Sequence, residues 1–202
     1  MSTAETVRKR VASAPSRAFI SAGELPGSRR AVECALSRLA ADGGLVRVRK
    51  GLYWKGPKTR FGMASPRSAD VALEVAGLGA GPAELSAAHL LGLTRQVPSV
   101  AIVAVPGRAP NPVAGARFVS RSIERRIAGL RPLEVAVLEV LRSGPASIEK
   151  PWSELASRIE RLVAVGEVRL DALASSVADE HHVATRQRWA ELAVSMPQGP
   201  VS

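Results

Sequence analysis

The sequence has one cysteine, Cys34, and aromatic residues make up only 3% of its 202 residues. A lone cysteine cannot form an internal disulfide or a cysteine-based metal site, which fits a reducing compartment. No apolar run approaches the roughly 20 residues that span a bilayer, and the first ten residues lack the apolar stretch of a signal peptide. We therefore expect a cytoplasmic protein with an aliphatic core and no membrane partner.

Positive charge is concentrated at one end of the chain. Residues 1–60 contain 13 Lys and Arg against four acidic residues, a net charge of +9, whereas the remaining 15 basic and 14 acidic residues leave the rest at +1. This asymmetry favours an N-terminal segment that binds a polyanion over a general solubility device. It also predicts two domains, residues 1–60 and 61–202, with the boundary in a linker at 57–66 that is rich in Pro, Gly and basic residues.

The N-terminal segment begins with the pattern of two helices separated by a short turn. Apolar residues at helical spacing predict helices at 3–14 and 29–42, and Ser28 precedes the second helix as an N-cap. Ser21 can cap a single helical turn at 22–25 between them. The second helix has one apolar stripe and one polar face, as expected for a helix that packs on a core and reads DNA.

A two-stranded wing follows these helices in the sequence. Apolar and basic residues alternate at 45–49, Lys50 and Gly51 supply a turn, and 52–54 returns as a second strand. Helix, turn, helix and hairpin in this order predict a winged helix-turn-helix. In such a fold the second helix enters the major groove and the cations of the wing meet phosphates or the minor groove.

DNA contacts of two kinds are expected in this segment, because phosphate contacts position a protein and base contacts specify the sequence. We assign Arg30 and Ser37 to base reading and allow Glu33 to accept from a cytosine. The predicted DNA-binding set is Ser28, Arg29, Arg30, Glu33, Ser37, Arg38, Arg47, Arg49, Lys50 and Lys55. Two alternatives stay open: a merely solvated charged face, and a winged helix that contacts protein instead of DNA.

The second segment mixes helices with short strands. Strands are predicted at 100–105 and 117–120, around a turn-rich loop at 106–112, and a hairpin is one way to connect them. The predicted helices are 65–76, 83–91, 132–142, 152–165, 170–178 and 183–194. The expected fold class is therefore α+β: a winged helix-turn-helix, then a mixed α+β domain with a helical end from about residue 150.

Four segments, in order, resemble the AbiEi family of antitoxins from bacterial type IV toxin-antitoxin and abortive-infection systems. They are ALSRLAADG, LVRVRKGLYWKG, SAAHLLGLTRQVPSVAIVAV and ARFVSRSIERRIAGLRPLEVAVLEVLR. The resemblance covers roughly residues 18–143, and RKGLYWKG followed by LLGLTRQVP is its most specific part. It implies a winged helix that represses its own operon by binding inverted repeats in promoter DNA, and a second domain that neutralises a cognate nucleotidyltransferase toxin.

Polar residues around these family-like segments are the candidates for toxin contact. These residues are expected to contact an acidic partner or a phosphate. The alternative is that they are surface charges paired with neighbouring acidic residues. The candidates are Arg95, Gln96, Arg117, Arg121, Arg125 and Arg126. Another route that the resemblance implies is an atypical kinase-like effect on a toxin serine, but the sequence has no kinase catalytic loop, Asp-Phe-Gly motif or strand lysine in a recognisable setting.

The remaining motifs do not support a catalytic, cofactor or metal site. Residues 51–59 have the glycine spacing of a P-loop, but Pro57 stands where the lysine is needed. Gly77–Gly81 lacks a βαβ setting, and His181-His182 lacks a third ligand at metal spacing. We therefore expect a binding protein without a cofactor. An ordinary transcription factor with a sensor domain is a further alternative, and the sequence does not determine the oligomeric state.

Overall fold

The structure, a computed structural model, describes residues 2–195, so Met1 and the 196–202 end of the predicted second domain lie outside the described residues. The chain divides into two compact units, Met1–Arg67 and Ser68–Ser202. Helices and short sheets are mixed, and the predicted α+β fold class is confirmed. No helix among the described residues is long and apolar enough to cross a bilayer.

The first unit contains a winged helix. Its three-stranded antiparallel sheet has the order β1-β3-β2, so β3 lies in the middle and the return strand of the wing is paired on both sides. The elements are α1 (Thr3–Ser13), β1 (Ala18–Ser21), a 3-10 turn (Ala22–Glu24), α2 (Arg29–Ala41), β2 (Val46–Arg49) and β3 (Leu52–Lys55). The strand β1 was not predicted, and Ser21 precedes the 3-10 turn without a side-chain capping bond.

The core of this unit lies between the two helices and the sheet. Val7 and Val11 of α1 are buried against the apolar stripe of α2, in which Val32 and Leu36 are fully buried. Tyr53 closes the core from the central strand and is only 1% exposed. The polar face of α2 is thereby turned toward solvent.

Lys55 does not belong to the exposed surface of the wing, which corrects its assignment as a DNA contact. Its Nζ donates to the carbonyl oxygens of Val11 (2.8 Å), Ala12 (2.9 Å) and Ala14 (2.5 Å) at the end of α1. The last carbonyls of a helix have no intrahelical partner and carry partial negative charge, so an ammonium group there satisfies and stabilises them. Lys55 therefore ties α1 to the sheet.

A second hairpin occupies the segment that we predicted to be a linker. Its strands, β4 (Lys58–Thr59) and β5 (Gly62–Met63), pair antiparallel. The indole Nε1 of Trp54 donates to the carbonyl oxygen of Ala64 at 2.9 Å, so the hairpin is attached to the central strand of the winged helix. This attachment places the predicted boundary after residue 60 inside the first unit.

The second unit contains a small sheet of order β6-β7-β8 with helices around it. Strands β7 and β8 are parallel, with Ala101 opposite Ala116. The prediction that they could form a hairpin is therefore wrong. The loop between the strands runs back along β7, as a parallel connection requires. The elements are α3 (Ser68–Ala76), β6 (Gly81–Pro82), α4 (Glu84–Leu90), β7 (Ala101–Pro106), β8 (Ala116–Arg121), α5 (Glu124–Ile127), α6 (Pro132–Ser143), a 3-10 turn (Pro145–Ser147), α7 (Ser153–Ala164), α8 (Leu170–Ala178) and α9 (Val183–Ser195).

Helix α6 is the centre of this unit. Its residues from Glu134 to Leu141 are all buried, because helices and β6 pack around it. Gly81 of β6 approaches so closely that a Cβ there would lie 2.5 Å from Cβ of Val135. Leu155, Leu173 and Leu192 of the last three helices belong to the same core as α6. The helical end is therefore part of the second unit and not a separate domain.

We predict that Lys55→Met destabilises the first unit by about 1.5 to 3 kcal/mol, the usual contribution of a hydrogen bond to a charged group. Met keeps the apolar stem but leaves the carbonyls of Val11, Ala12 and Ala14 without the ammonium donor. Native-state hydrogen exchange of the α1 amides measures the loss. Lys50→Met, at an exposed position, is the control and should leave exchange unchanged. Equal protection of α1 in the two variants would contradict the capping role.

Candidate functional site

Exposed positive charge covers the first unit. Every Lys and Arg among residues 2–60 except Lys55 is exposed. On the wing, Arg47 and Arg49 of β2 are both exposed. The pairing register shifts between them, so Arg47 lies opposite Tyr53 and Arg49 lies opposite Leu52. Lys50 lies exposed in the turn beside them. Since no ion pair joins these three cations to a described residue, their charge is available to an outside anion.

Helix α2 presents the predicted reading face with one internal ion pair. Ser28 accepts a hydrogen bond from the Ala31 amide at 3.4 Å, which confirms the predicted N-cap. Arg29 Nε lies 3.1 Å from Glu33 Oε1, one turn along the helix. This pair uses one carboxylate oxygen of Glu33, so the other oxygen can still accept a hydrogen bond from a cytosine. Arg30 is exposed and has no such partner among the described residues.

Two further predicted DNA-binding residues lie on the same helix. Ser37 is exposed, but its hydroxyl lies 3.1 Å from the buried phenol oxygen of Tyr53 and shares a hydrogen bond with it. A hydroxyl has one donor and two acceptor sites, so Ser37 keeps some capacity for a base. Arg38 is exposed in the last turn of α2. Of the ten predicted residues, only Lys55 is thus withdrawn from solvent by its internal contacts.

The β4–β5 hairpin adds cations that sequence reasoning missed. Lys58 and Arg60 are exposed, and the Arg60 guanidinium carbon lies 4.6 Å from the ring centroid of Phe61, whose own surface is 85% exposed. An aromatic ring paired with an arginine on a solvent-exposed turn is a common partner for nucleic acid. The sequence Lys-Thr-Arg-Phe-Gly at 58–62 could have indicated this hairpin. The Pro and Gly residues around it led to the prediction of a linker instead.

In the second unit, several toxin-contact candidates lie on the surface. The loop after α4 carries Arg95 and Gln96, and it is anchored by Glu149, which accepts from the Arg95 amide at 2.8 Å and from Gln96 Nε2 at 3.0 Å. Arg117 is exposed and paired with Glu84 at 2.7 Å. Arg126 is exposed, with Nε 3.4 Å from the Leu78 carbonyl oxygen. These side chains are placed where a protein partner can reach them.

Two other candidates hold the unit together instead. Arg125 is only 2% exposed, and it donates to Glu139 at 2.7 Å and to Glu180 at 2.8 Å. Arg121 makes a two-pronged pair with Glu139, at 2.8 and 2.7 Å. The assignment of Arg125 to a toxin-contact surface is wrong, because a buried guanidinium paired with two carboxylates cannot meet a partner. Arg121 is mostly committed to the same network.

The protonation state of Glu139 depends on this network. Burial alone pushes the pKa of the Glu139 carboxyl upward, but the hydrogen bonds and charges of Arg121 and Arg125 outweigh burial, and the pKa is lowered from its ordinary value. Glu139 is therefore ionised in the folded protein. Below its folded-state pKa the carboxylate is protonated and its contribution to stability is lost, whereas at neutral pH that contribution is complete.

The described residues offer no metal centre. They contain no group of three or more His, Cys, Asp or Glu side chains that could hold a metal ion. His181 and His182 lie in the turn between α8 and α9, and the Nδ1 atom of His182 lies 2.9 Å from the Thr185 hydroxyl. His182 thus has a polar partner, and neither histidine belongs to a set of metal ligands among the described residues.

Comparison with known proteins found a structural similarity but no related family or curated sequence. No family model and no curated protein sequence matches the chain. Among solved structures, the crystal structure of the RV2827C protein from Mycobacterium tuberculosis is similar with a TM-score of 0.45 and 19% sequence identity, covering 96% of this chain and 76% of that chain. At these values the likeness carries no argument about function.

We predict that Glu139→Gln destabilises the second unit by about 3 to 5 kcal/mol, the usual cost of removing one partner of a buried ion pair. The change leaves the positive charges of Arg121 and Arg125 without their shared carboxylate. Urea unfolding followed by hydrogen exchange of α6 measures the effect. Glu154→Gln, which removes an exposed carboxylate paired with Arg161, is the matched control and should change the midpoint far less. Equal midpoints for both variants would contradict a structural role for the network.

Proposed function

We propose that this chain is a DNA-binding repressor and antitoxin: the first unit binds inverted repeats in its own promoter, and the second unit neutralises a nucleotidyltransferase toxin. The observation that carries the proposal is the set of exposed cations on the first turn of α2 and on the wing that have no carboxylate partner among the described residues. Arg30, Arg47, Arg49 and Lys50 form this set, which we call the open cations. The resemblance to AbiEi antitoxins supplies the promoter and the toxin as the expected partners.

The winged helix gives the open cations a geometry that suits duplex DNA. Helix α2 has the size to enter a major groove about 12 Å wide, and Arg30 on its first turn can form the paired hydrogen bonds that guanine accepts. Arg47 and Arg49 are both exposed on the wing, and Lys50 follows them in the turn, so these cations are placed to contact phosphates. In this proposal α2 determines which DNA sequence is bound, through base contacts, and the wing contributes most of the affinity, through phosphate contacts.

The β4–β5 hairpin extends this proposed interface. Lys58 and Arg60 carry positive charge, and Phe61 exposes an apolar ring beside it. Proteins that bind the minor groove combine arginine with an apolar side chain in this manner. The hairpin therefore serves as an arm of the DNA-binding unit and not as a passive linker.

The proposed toxin contact uses the exposed side chains of the second unit. Arg95, Arg117 and Arg126 are accessible and positively charged. Val97 lies in the same loop as Arg95 and is 74% exposed, which gives the loop an apolar contact point. Interfaces commonly place arginine beside exposed apolar residues. The buried Arg125 supports this surface from within and does not take part in it.

We expect the two activities to be separable. Changing the four open cations to Ala should lower affinity for the promoter by about 100-fold or more, because each phosphate contact contributes through counterion release. Growth rescue from the proposed nucleotidyltransferase toxin should be retained, since the second unit is unchanged. Fluorescence anisotropy with promoter DNA and a co-expression growth assay measure the two effects.

The reciprocal variant is the control for this experiment. Changing Arg95, Arg117 and Arg126 to Ala should leave promoter binding intact and weaken growth rescue. Loss of rescue in a folded open-cation variant would count against two separate activities. A chain that neither binds its promoter nor rescues growth would support an ordinary transcription factor of another operon, or a winged helix that contacts protein.

A further inference from the structure

A cleft of about 480 Å³ lies in the second unit, at the carboxyl end of β8. Its walls are residues 120–122 at the end of this strand, Arg142 near the end of α6, and residues 180–182 in the turn between α8 and α9. Ligand sites for small molecules commonly have volumes of about 300 to 1,000 Å³. The cleft therefore has room for a small ligand but not for a folded partner.

Positive charge is in excess at this cleft. Three arginines, Arg121, Arg125 and Arg142, share two carboxylates, those of Glu139 and Glu180. The guanidinium nitrogens of Arg121 and Arg125 lie 2.6 to 2.8 Å from the oxygens of these carboxylates. Arg142 has only a distant contact, with its Nη1 atom 3.6 Å from Glu180 Oε2. One positive charge is thus left without a close counterion.

Arg142 is the arginine whose N–H donors are free to bind a ligand. Its side chain is 35% exposed, and its guanidinium makes no hydrogen bond to a described residue. The backbone that carries it is fixed, because Arg188 Nη1 donates to the carbonyl oxygens of Leu141 at 2.7 Å and of Arg142 at 2.8 Å. A guanidinium held on a rigid helix end with free N–H groups is ready to bind a planar or tetrahedral anion in two-pronged geometry.

The electrostatics of His182 agree with this excess of charge. Burial lowers the pKa of the His182 imidazole, and the positive charges of Arg142 and Arg188 lower it further. The imidazole is therefore neutral at pH 7. When its Nδ1 atom accepts from the Thr185 hydroxyl, Nε2 carries the ring hydrogen and is a donor. An anion in the cleft would offset the positive charge of the arginines around His182.

We propose that this cleft binds the phosphate group of a small phosphorylated ligand, with Arg142 as the principal donor. Arg121, His182 and Ser120 line the same cleft and can add further donors, whereas the Ser122 hydroxyl already donates to the Glu124 carboxylate. A carboxylate has two oxygens and suits one guanidinium, whereas a phosphate has three or more free oxygens and suits donors from several sides. The proposal adds a ligand site to the second unit and does not depend on DNA binding.

Phosphate binding is best tested in a full-length chain whose four open cations are changed to Ala, so that the first unit does not bind the probes. Isothermal titration at constant ionic strength, with inorganic phosphate and with adenosine triphosphate in separate runs, measures the affinity. We expect saturable binding of one molecule per chain. Equal affinities would identify a single phosphate group as the ligand, and tighter binding of the triphosphate would identify a polyphosphate or nucleotide.

Variants of one arginine give the decisive comparison. Arg142→Gln should weaken binding by about tenfold or more, because a two-pronged charged contact is lost, whereas Arg161→Gln, at an exposed arginine of α7, should change it by less than about twofold. Arg142→Lys retains the charge beside Glu180 but loses the fork of N–H donors, so it too should bind more weakly even if the Gln variant unfolds. The proposal is overturned if neither probe gives saturable binding, or if Arg142 and Arg161 variants bind equally.

Discussion

The buried contact of Arg125 with two carboxylates is the constraint on which the second unit depends. It joins α5 to Glu139 at the middle of α6 and to Glu180 before α9, so three separate stretches of chain meet at one guanidinium. A charge at this depth is tolerated only when it is paired and hydrogen-bonded. The same network holds Arg121 at the end of β8 and leaves Arg142 with only a distant counterion at the edge of a cleft.

The two units therefore use arginine in opposite ways. In the second unit, buried arginines are neutralised by glutamates and specify how helices meet, which agrees with the nearly balanced charge of that part of the chain. In the first unit, Lys55 is used internally and Arg29 pairs with Glu33 on the same helix, whereas the open cations remain exposed. Exposed charge without partners contributes little to stability and much to the attraction of a polyanion. A DNA-binding unit attached to a partner-binding unit is the division of labour that this contrast favours.

The spacing of apolar residues correctly predicted the long helices that bury an apolar face. The stripe of α2 and the apolar run of α6 placed both helices correctly, and Ser28 marked the start of α2. Short or long-range features were missed for physical reasons. The four-residue strand β1 exists because it pairs with β3, and Lys55 reaches carbonyls more than forty residues away. Nothing local distinguishes such a lysine, or the buried Arg125, from a surface cation, because partners on other elements decide the role.

The central claim, that the open cations of the winged helix bind duplex DNA, is tested most directly by the salt dependence of binding. The full chain is titrated with its own upstream DNA and with a scrambled duplex at several salt concentrations. The account predicts tighter binding to the upstream DNA and a log–log slope of about −0.9 for each phosphate engaged, so about −2.7 if the three open cations of the wing engage one phosphate each. Equal affinity for both duplexes together with a slope near zero would contradict it.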